Sequence, residues 1–196
     1  AFGRGPRPER SIVMISFTAE ESGLLGSEFY AANPVYPLAT TVAGFNLDAM
    51  NVYGRVENLQ VVGMGQSNLD ERLQAAAALQ GRPITAEANP AAGSYFRSDH
   101  FPLAKRGVPM AYADGGGAFR DEPKAEREAA SSDYGARRYH QADDEWSPDW
   151  DYSGMIEDLT VVYAVGLDLA NSRDWPAWKP GSEFGPMRER SAASRR

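Results

Sequence analysis

The chain has 196 residues, a length that fits one domain with a sizeable hydrophobic core. Its 27 acidic and 20 basic residues give a net charge of −7, which argues against a surface that binds nucleic-acid phosphates. No apolar run approaches the ~20 residues of a membrane-spanning helix, and the lack of cysteine excludes disulfides and thiolate metal sites.

The first part of the sequence predicts a strand followed at once by two acids. Residues 1–10 are typical of a loop-like lead-in, and the apolar residues 11–18 predict a buried strand. Glu20 and Glu21 come directly after this strand. An amphipathic helix is predicted next, and an Asn-Pro pair ends it.

Further strands are predicted at intervals along the chain. Residues 40–48 form a second predicted strand, and it also ends in an acid, Asp48. Residues 58–62 predict a short strand, residues 82–86 an edge strand and residues 107–112 a buried strand. Helical patterns lie between these strands, so the sequence favours an α/β fold with a mostly parallel or mixed sheet.

The C-terminal half predicts a long loop, a helix and an extended tail. Residues 114–138 are Gly-rich and then charged, as in a functional or mobile loop. A helix is predicted from about Ser153. Its predicted buried face consists of Ile156, Leu159, Val162, Tyr163, Gly166, Leu167 and Ala170. Residues 174–196 predict an extended wrap that becomes a basic, solvated tail from Arg188.

Acidic and imidazole side chains collect at the predicted strand ends and in the loops after them. Ligands bind at the carboxyl ends of strands in open α/β sheets, so we expect these side chains to lie together. The candidates are Glu20, Glu21, Asp48, Asp99, His100, His140 and Asp144. The sequence contains neither a His-Glu-x-x-His helix nor a Gly-x-Ser-x-Gly turn. The pattern therefore indicates zinc bound through oxygen and imidazole.

Four short motifs, in order, give the sequence a family resemblance. They are Ala-Glu-Glu-Ser-Gly-Leu-Leu-Gly-Ser at residues 19–27, Asn-Leu-Asp at 46–48, Ser-Asp-His at 98–100 and Tyr-His at 139–140. This set resembles the M28 family of zinc aminopeptidases over nearly the whole chain. The resemblance implies a zinc-exopeptidase architecture, with helices flanking the central sheet and the catalytic domain at residues 11–173.

The resemblance also implies a role for each motif residue. Glu20 matches the general base, which takes a proton from a zinc-bound water. Glu21 and His140 match ligands of one zinc, and Asp48 matches a ligand of a second zinc. The substrate would be a peptide. Supporting roles fall on Asp99, His100 and Asp144.

One departure from the family pattern concerns the start of the chain. The family also has a His-x-Asp motif and a bridging aspartate before the glutamate pair, and residues 1–10 contain neither His nor Asp. We therefore expect the C-terminal part of a longer peptidase, incomplete at its N-terminus, that binds zinc poorly alone and exposes an apolar surface able to dimerise. Enzymes that it resembles are commonly exported, which implies a secreted or periplasmic location.

Two other functions remain open at this point. Residues 99–103 and 140–144 are also similar to segments of glutaminyl cyclases, which use a single zinc for an intramolecular acyl transfer. Alternatively, the chain is a peptidase-like binding domain that has lost its metals. The missing ligands favour such a binding domain, whereas the intact Glu20 and Glu21 argue against it.

Overall fold

The structure, a computed structural model, describes residues 2–195. Its strands are β1 (Gly44–Asn46), β2 (Val56–Val62), β3 (Ile84–Ala86) and β4 (Met110–Phe119). They form one sheet in the order β1-β4-β2-β3. The β1/β4 and β2/β3 pairs are parallel and the β2/β4 pair is antiparallel, so the prediction of a mixed α/β sheet is confirmed.

Helices connect and flank these strands. The α-helices are α1 (Leu25–Ala32), α2 (Leu69–Ala78), α3 (His100–Lys105), α4 (Lys124–Asp133), α5 (Ser153–Asn171) and α6 (Gly185–Arg190), with a π-helical turn at Tyr134–Arg138. Short 3-10 turns lie at Phe2–Arg4, Leu38–Thr40, Pro90–Ala92, Ser94–Phe96 and Ala192–Ser194. None of the described helices is long and apolar enough to cross a bilayer.

The hydrophobic core consists of two clusters. The first joins the middle of the sheet to α2 and α5, and its buried members are Leu59, Val61, Leu69, Leu73, Ala77, Ala111, Ala113, Val161, Val165 and Leu169. The second joins α1, α3 and the start of β4 to the C-terminal segment through Trp178 and Phe184. The indole N–H of Trp178 donates to the carbonyl of Gly107 at 2.9 Å, which fixes this segment to the domain.

Residues 11–18 do not form the predicted strand. They belong to no strand or helix and are largely exposed, and Met14 retains 76% of its accessible surface. A strand needs a neighbour to satisfy its backbone N–H and C=O groups, and the described residues provide no strand that pairs with this segment. The β-forming composition of residues 11–18 is therefore not sufficient to make them a strand.

The region predicted as a long loop is more ordered than expected. β4 continues to Phe119, and α4 and the π-helical turn occupy most of the remaining residues. Helix α5 begins at Ser153 as predicted, but it is rotated from the predicted face. The buried residues of α5 are Gly154, Asp158, Val161, Val165, Leu169 and Ala170.

The buried face of α5 includes one charged residue. Asp158 is fully buried, and its Oδ1 lies 2.7 Å from Nη2 of Arg82, which is also buried. Because the ion pair compensates the buried charge, an acidic residue occupies the core-facing side of the helix. The C-terminal tail is likewise not fully solvated. Arg188 is buried in α6 and donates to the carbonyls of Thr41 and Val42, each at 2.9 Å.

Candidate active site

Glu20 and Glu21 lie in a tight turn that leads into α1. The turn is closed by backbone hydrogen bonds, including Leu24 N–H to the carbonyl of Glu20 at 2.8 Å. Ala19 and Leu24 have φ values of 56° and 60°, a left-handed conformation that is unfavourable for residues with a side chain. Such conformations persist where the surroundings enforce them, often at functional sites.

Close packing explains one glycine of this motif. A Cβ on Gly26 would come within 2.5 Å of the carbonyl oxygen of Thr18, so a larger residue would displace the start of α1. The N–H of Gly26 donates to the same oxygen at 3.0 Å. The Gly-Leu-Leu-Gly segment thus returns the chain to Thr18, two residues before Glu20.

Glu21 and His140 meet although they are far apart in sequence. Oε1 of Glu21 lies 2.7 Å from Nε2 of His140, and both side chains are open to solvent, at 71% and 50% exposure. His140 also has a left-handed backbone, with φ of 61°, and its ring stacks on Tyr139 at a centroid distance of 3.8 Å. The backbone conformation of His140 and its stacking on Tyr139 therefore help to orient the imidazole that contacts Glu21.

Asp48 is oriented by a hydrogen-bonded chain. It follows β1, and its Oδ2 accepts from the hydroxyl of Ser98 at 2.6 Å. The Ser98 oxygen in turn accepts from Nδ2 of Asn46 at 2.7 Å. The N–H of Ala49 donates to Oδ1 of Asp48 at 2.9 Å, so both carboxylate oxygens are held.

Glu20 experiences the charges of the other candidates. Its pKa is raised first by burial and then by the negative charges of Asp48, Glu21 and Asp99, while His140 lowers it. The structure therefore brings four carboxylates and one imidazole into a single electrostatic neighbourhood. A carboxylate with a raised pKa is a better proton acceptor near neutral pH.

His100 differs from the other candidates because its ring is buried, although the charge of Asp48 acts on it. The side chain is 1% exposed and packs edge-on against Tyr95 and at a tilt against Tyr112, with centroid distances of 4.7 and 5.3 Å. Burial lowers its pKa to about 4, so the ring is neutral at physiological pH. Neither ring nitrogen has a hydrogen-bond partner among residues 2–195.

Asp99 and Asp144, the other two supporting candidates, have different surroundings. Asp99 is half-buried immediately before α3, and burial raises its pKa. Asp144 is exposed, and its Oδ2 accepts from the hydroxyl of Tyr134 at 3.0 Å. This contact places Asp144 beside Tyr134 and leaves its expected role next to His140 a prediction.

Sequence reasoning missed the residues that orient the candidates. Ser98 lies inside the Ser-Asp-His motif, yet its role became visible only in its contact with Asp48. Tyr139 immediately precedes His140, and its pKa is raised by burial and by Glu21, Asp48 and Glu20, so its phenol lies near the same carboxylates. Their position inside the motifs was the available signal for both.

The geometry agrees with the comparison to protein families. The model of peptidase family M28 matches residues 1–164. The chain belongs to peptidase family M28. No curated protein sequence matches it significantly.

Among solved structures, M28 membership is accompanied by a likeness of fold. The LapA aminopeptidase of Legionella pneumophila is 16% identical with a TM-score of 0.51, and the match covers 80% of this chain and 38% of LapA. The aminopeptidase from Aneurinibacillus sp. strain AM-1 is 20% identical with a TM-score of 0.40, covering 85% of this chain and 33% of that one. The chain thus spans little more than a third of the length of these structures.

The M28 residues of this chain fit a zinc site in donor type but not in number. Glu21 and His140 present an oxygen and a nitrogen to each other, which are donors that zinc accepts. A catalytic zinc requires three protein ligands. No group of three or more His, Cys, Asp or Glu side chains in residues 2–195 is close enough to hold an ion. The ligand set within this part of the family's domain is therefore incomplete.

Proposed function

We propose that this chain supplies the general base and part of the metal-ligand set of a zinc-dependent exopeptidase that removes N-terminal residues from peptides. The contact between Glu21 and His140 at 2.7 Å carries this proposal, because two motifs 119 residues apart converge on it. Membership of peptidase family M28 supports a hydrolase acting on peptide bonds. The Legionella pneumophila LapA protein, whose fold this chain resembles, is described as an aminopeptidase.

Within this proposal each side chain has a distinct task. Glu21 and His140 would hold one zinc, and Asp48, fixed by Ser98 and Ala49, would face a second. Bound zinc supplies Lewis acidity and lowers the pKa of a coordinated water to about 7. Glu20 accepts a proton at its carboxylate and can pass it to a leaving amine, and its raised pKa suits both directions of transfer.

The proposal includes a requirement for further ligands. The family resemblance places a histidine and a bridging aspartate before the glutamate pair, and the described residues do not complete the set. We therefore propose that these ligands come from upstream residues of the same protein. The isolated 196-residue chain should then bind zinc weakly and hydrolyse peptides slowly or not at all.

Zinc titration of the isolated chain and of a version extended upstream tests this requirement. Isothermal titration calorimetry and metal analysis should show weak, substoichiometric zinc in the chain alone and two tightly bound zincs in the extended protein. Tight binding of two zincs by the isolated chain would contradict the proposal of missing ligands.

The base is tested in the extended, zinc-loaded protein. Glu20→Gln should lower kcat by about 10²–10⁴-fold while zinc content stays the same, since the amide cannot accept the proton. Glu28 is a partly exposed glutamate of α1 that pairs with Lys105, and Glu28→Gln is the matched control that should retain activity. Unchanged turnover in Glu20→Gln would instead favour the reading of a non-catalytic binding domain.

A further inference from the structure

Two arginines are buried in the described part of the chain, and only one of them is paired with an acid. Nη2 of Arg82 lies 2.7 Å from Oδ1 of Asp158. Arg188 is 3% exposed, and its Nη1 and Nη2 donate to the carbonyls of Thr41 and Val42. Its buried Nε has no hydrogen-bond partner among the described residues, and none of their carboxylates forms an ion pair with it. Because an unpaired buried charge is costly, an anion would be stabilising at Arg188.

Two further arginines lie around the same tryptophan as Arg188. Cζ of Arg188 lies 5.4 Å from the centre of the Trp175 ring. The corresponding distances are 5.3 Å for Arg10 and 6.0 Å for Arg195, and both of these side chains are half-buried. Neither forms an ion pair with a carboxylate of residues 2–195. Three guanidiniums therefore share one indole ring.

Backbone carbonyls hold the two outer arginines and leave part of each guanidinium unused. Nη1 of Arg10 donates to the carbonyls of Leu169 and Asp174 at 2.8 and 2.9 Å. Nη1 of Arg195 donates to the carbonyl of Arg188 at 2.6 Å. The Nη2 and Nε donors of Arg10 and Arg195 have no acceptor within the described chain. Such oriented donors match the oxygens of a phosphate group.

The positive charges at Trp175 also repel one another. Burial lowers the pKa of Arg188 to about 10, the charge of Arg195 contributes to this shift, and Glu189 opposes it. The carbonyl contacts of Arg188 are sufficient to attach α6 to the domain. They give no reason for the charges of Arg10 and Arg195 to meet at the same ring. A bound anion would offset this repulsion.

The chain ends that carry these arginines are basic as a whole. Residues 1–10 and 173–196 contain nine basic and four acidic residues, in a chain whose net charge is −7. The two ends are joined where the backbone N–H of Arg10 donates to the carbonyl of Ala170 at 2.8 Å. Local positive potential of this kind attracts anions although the net charge is negative.

We propose that Arg10, Arg188 and Arg195 form a binding site for a phosphate group, carried either by free phosphate or by the headgroup of an anionic lipid. Guanidinium groups bind phosphate oxygens through paired N–H donors, and three of them suit a dianion. Arg188 supplies a buried positive charge, and Arg10 and Arg195 supply the accessible donors. The site lies outside the candidate metal centre, so it does not depend on the proposed exopeptidase function.

Calorimetric titration of the 196-residue chain with inorganic phosphate at constant ionic strength tests the site. Phosphate should give a saturable heat that chloride does not give, and added salt should weaken it. Arg10→Gln and Arg195→Gln should each raise the Kd by about 10-fold, the size expected for a lost hydrogen bond to a charged group. Arg195→Lys should retain part of the affinity, because it keeps the charge without the paired donors.

A third arginine provides the matched control. Arg173 lies two residues before Trp175, is exposed, and pairs with Glu9 at 3.2 Å. Arg173→Gln removes one charge from the same basic surface and should keep the wild-type Kd. Circular dichroism and thermal unfolding establish that each variant is folded. An equal loss of affinity in Arg173→Gln would indicate diffuse attraction to the basic surface and would overturn the proposal.

Co-sedimentation with vesicles distinguishes the two sources of phosphate. The chain is mixed with phosphatidylcholine vesicles that contain or lack phosphatidate, whose headgroup is a phosphate monoester. Sedimentation that requires phosphatidate and is lost in Arg10→Gln and Arg195→Gln supports a lipid headgroup. Binding of inorganic phosphate without vesicle binding supports a free phosphate. The proposal is wrong if neither probe binds, or if binding is unchanged in both arginine variants.

Discussion

Two apolar runs, residues 110–113 and residues 11–18, end in opposite states in this fold. Residues 110–113 lie in β4, between β1 and β2, and Met110 is 8% exposed against Gly44. Residues 11–18 are richer in β-branched residues, yet they form no strand and lie largely exposed at the surface. Backbone hydrogen bonds on both sides explain the difference. Strand propensity describes what a segment can become, and its neighbours decide the outcome.

The same contrast divides the candidate site. Asp48 follows β1 and is held by Ser98 and a backbone N–H, so it belongs to the packed part of the molecule. Glu20 and Glu21 follow the exposed segment, and both side chains of the Glu21–His140 contact are exposed to solvent. One half of the site is therefore fixed by the fold, and the other half depends on a turn at the end of an unpaired segment.

The largest expected effect compares two methionines. Met110→Ala should lower the free energy of unfolding by about 2–5 kcal/mol, because a buried side chain is lost and a cavity remains. Met14→Ala, at 76% exposure, should change it by no more than about 0.5 kcal/mol. Urea denaturation followed by circular dichroism measures both variants on the same chain.

An extended protein sharpens this first comparison. If upstream residues cover the segment at 11–18, Met14→Ala should become as destabilising as a core substitution there and remain neutral in the 196-residue chain. A large loss of stability from Met14→Ala in the shorter chain would show that the segment is already packed, against the structure described here.

The contrast also explains which sequence inferences succeeded. The helices after Gly23 and near Ser153 were predictable, because an Asn-Pro pair ends the first and the spacing of apolar residues indicates both. The strand at 11–18 was not, because its state depends on a distant pairing partner. The face of α5 was missed because Asp158 appears solvent-exposed in sequence, and only the fold brings Arg82 to 2.7 Å from it.

The site was predictable to a similar extent and for similar reasons. The motifs named Glu20, Glu21, Asp48 and His140, and the structure brings their charges together. The contact of Ser98 with Asp48 and the stacking of Tyr139 under His140 require the tertiary fold. No spacing in the sequence encodes them.

A smaller effect comes from a titrating carboxyl inside β4. Burial raises the pKa of Asp114 to about 7, Asp158 raises it further, and the N–H groups of Gly115 and Asn51 oppose the shift. The folded-state pKa lies above the unfolded value of 3.8, so the stability contribution is greatest below that value and is lost as pH rises through about 7. Asp114→Asn should abolish this loss, since its side-chain oxygen can still accept both N–H groups.

The free energy of unfolding is measured for Asp114→Asn and for the wild type at several pH values, and the two are subtracted. The stability of Asp114→Asn minus that of the wild type should increase from about pH 5 to about pH 8. His100 works in the opposite direction, because its folded pKa of about 4 lies below the unfolded value of 6.5 and its contribution is lost as pH falls through that window. His100 is present in both proteins, so its contribution cancels in the difference. A difference that stays flat with pH would contradict a buried, titrating Asp114.

The smallest expected effect lies in the exposed half of the site. Glu21→Gln should change the free energy of unfolding by less than about 1 kcal/mol, because ion pairs between exposed side chains contribute little and are screened by salt. The same substitution in the extended protein should nevertheless weaken zinc binding strongly if Glu21 is a zinc ligand, as proposed, since a neutral amide would replace an anionic one. Thermal unfolding and zinc titration of one variant therefore separate the role of Glu21 in stability from its role in the metal site. A loss of several kcal/mol from Glu21→Gln would mean that this contact supports the fold, and the division of the site into a fixed and an exposed half would no longer hold.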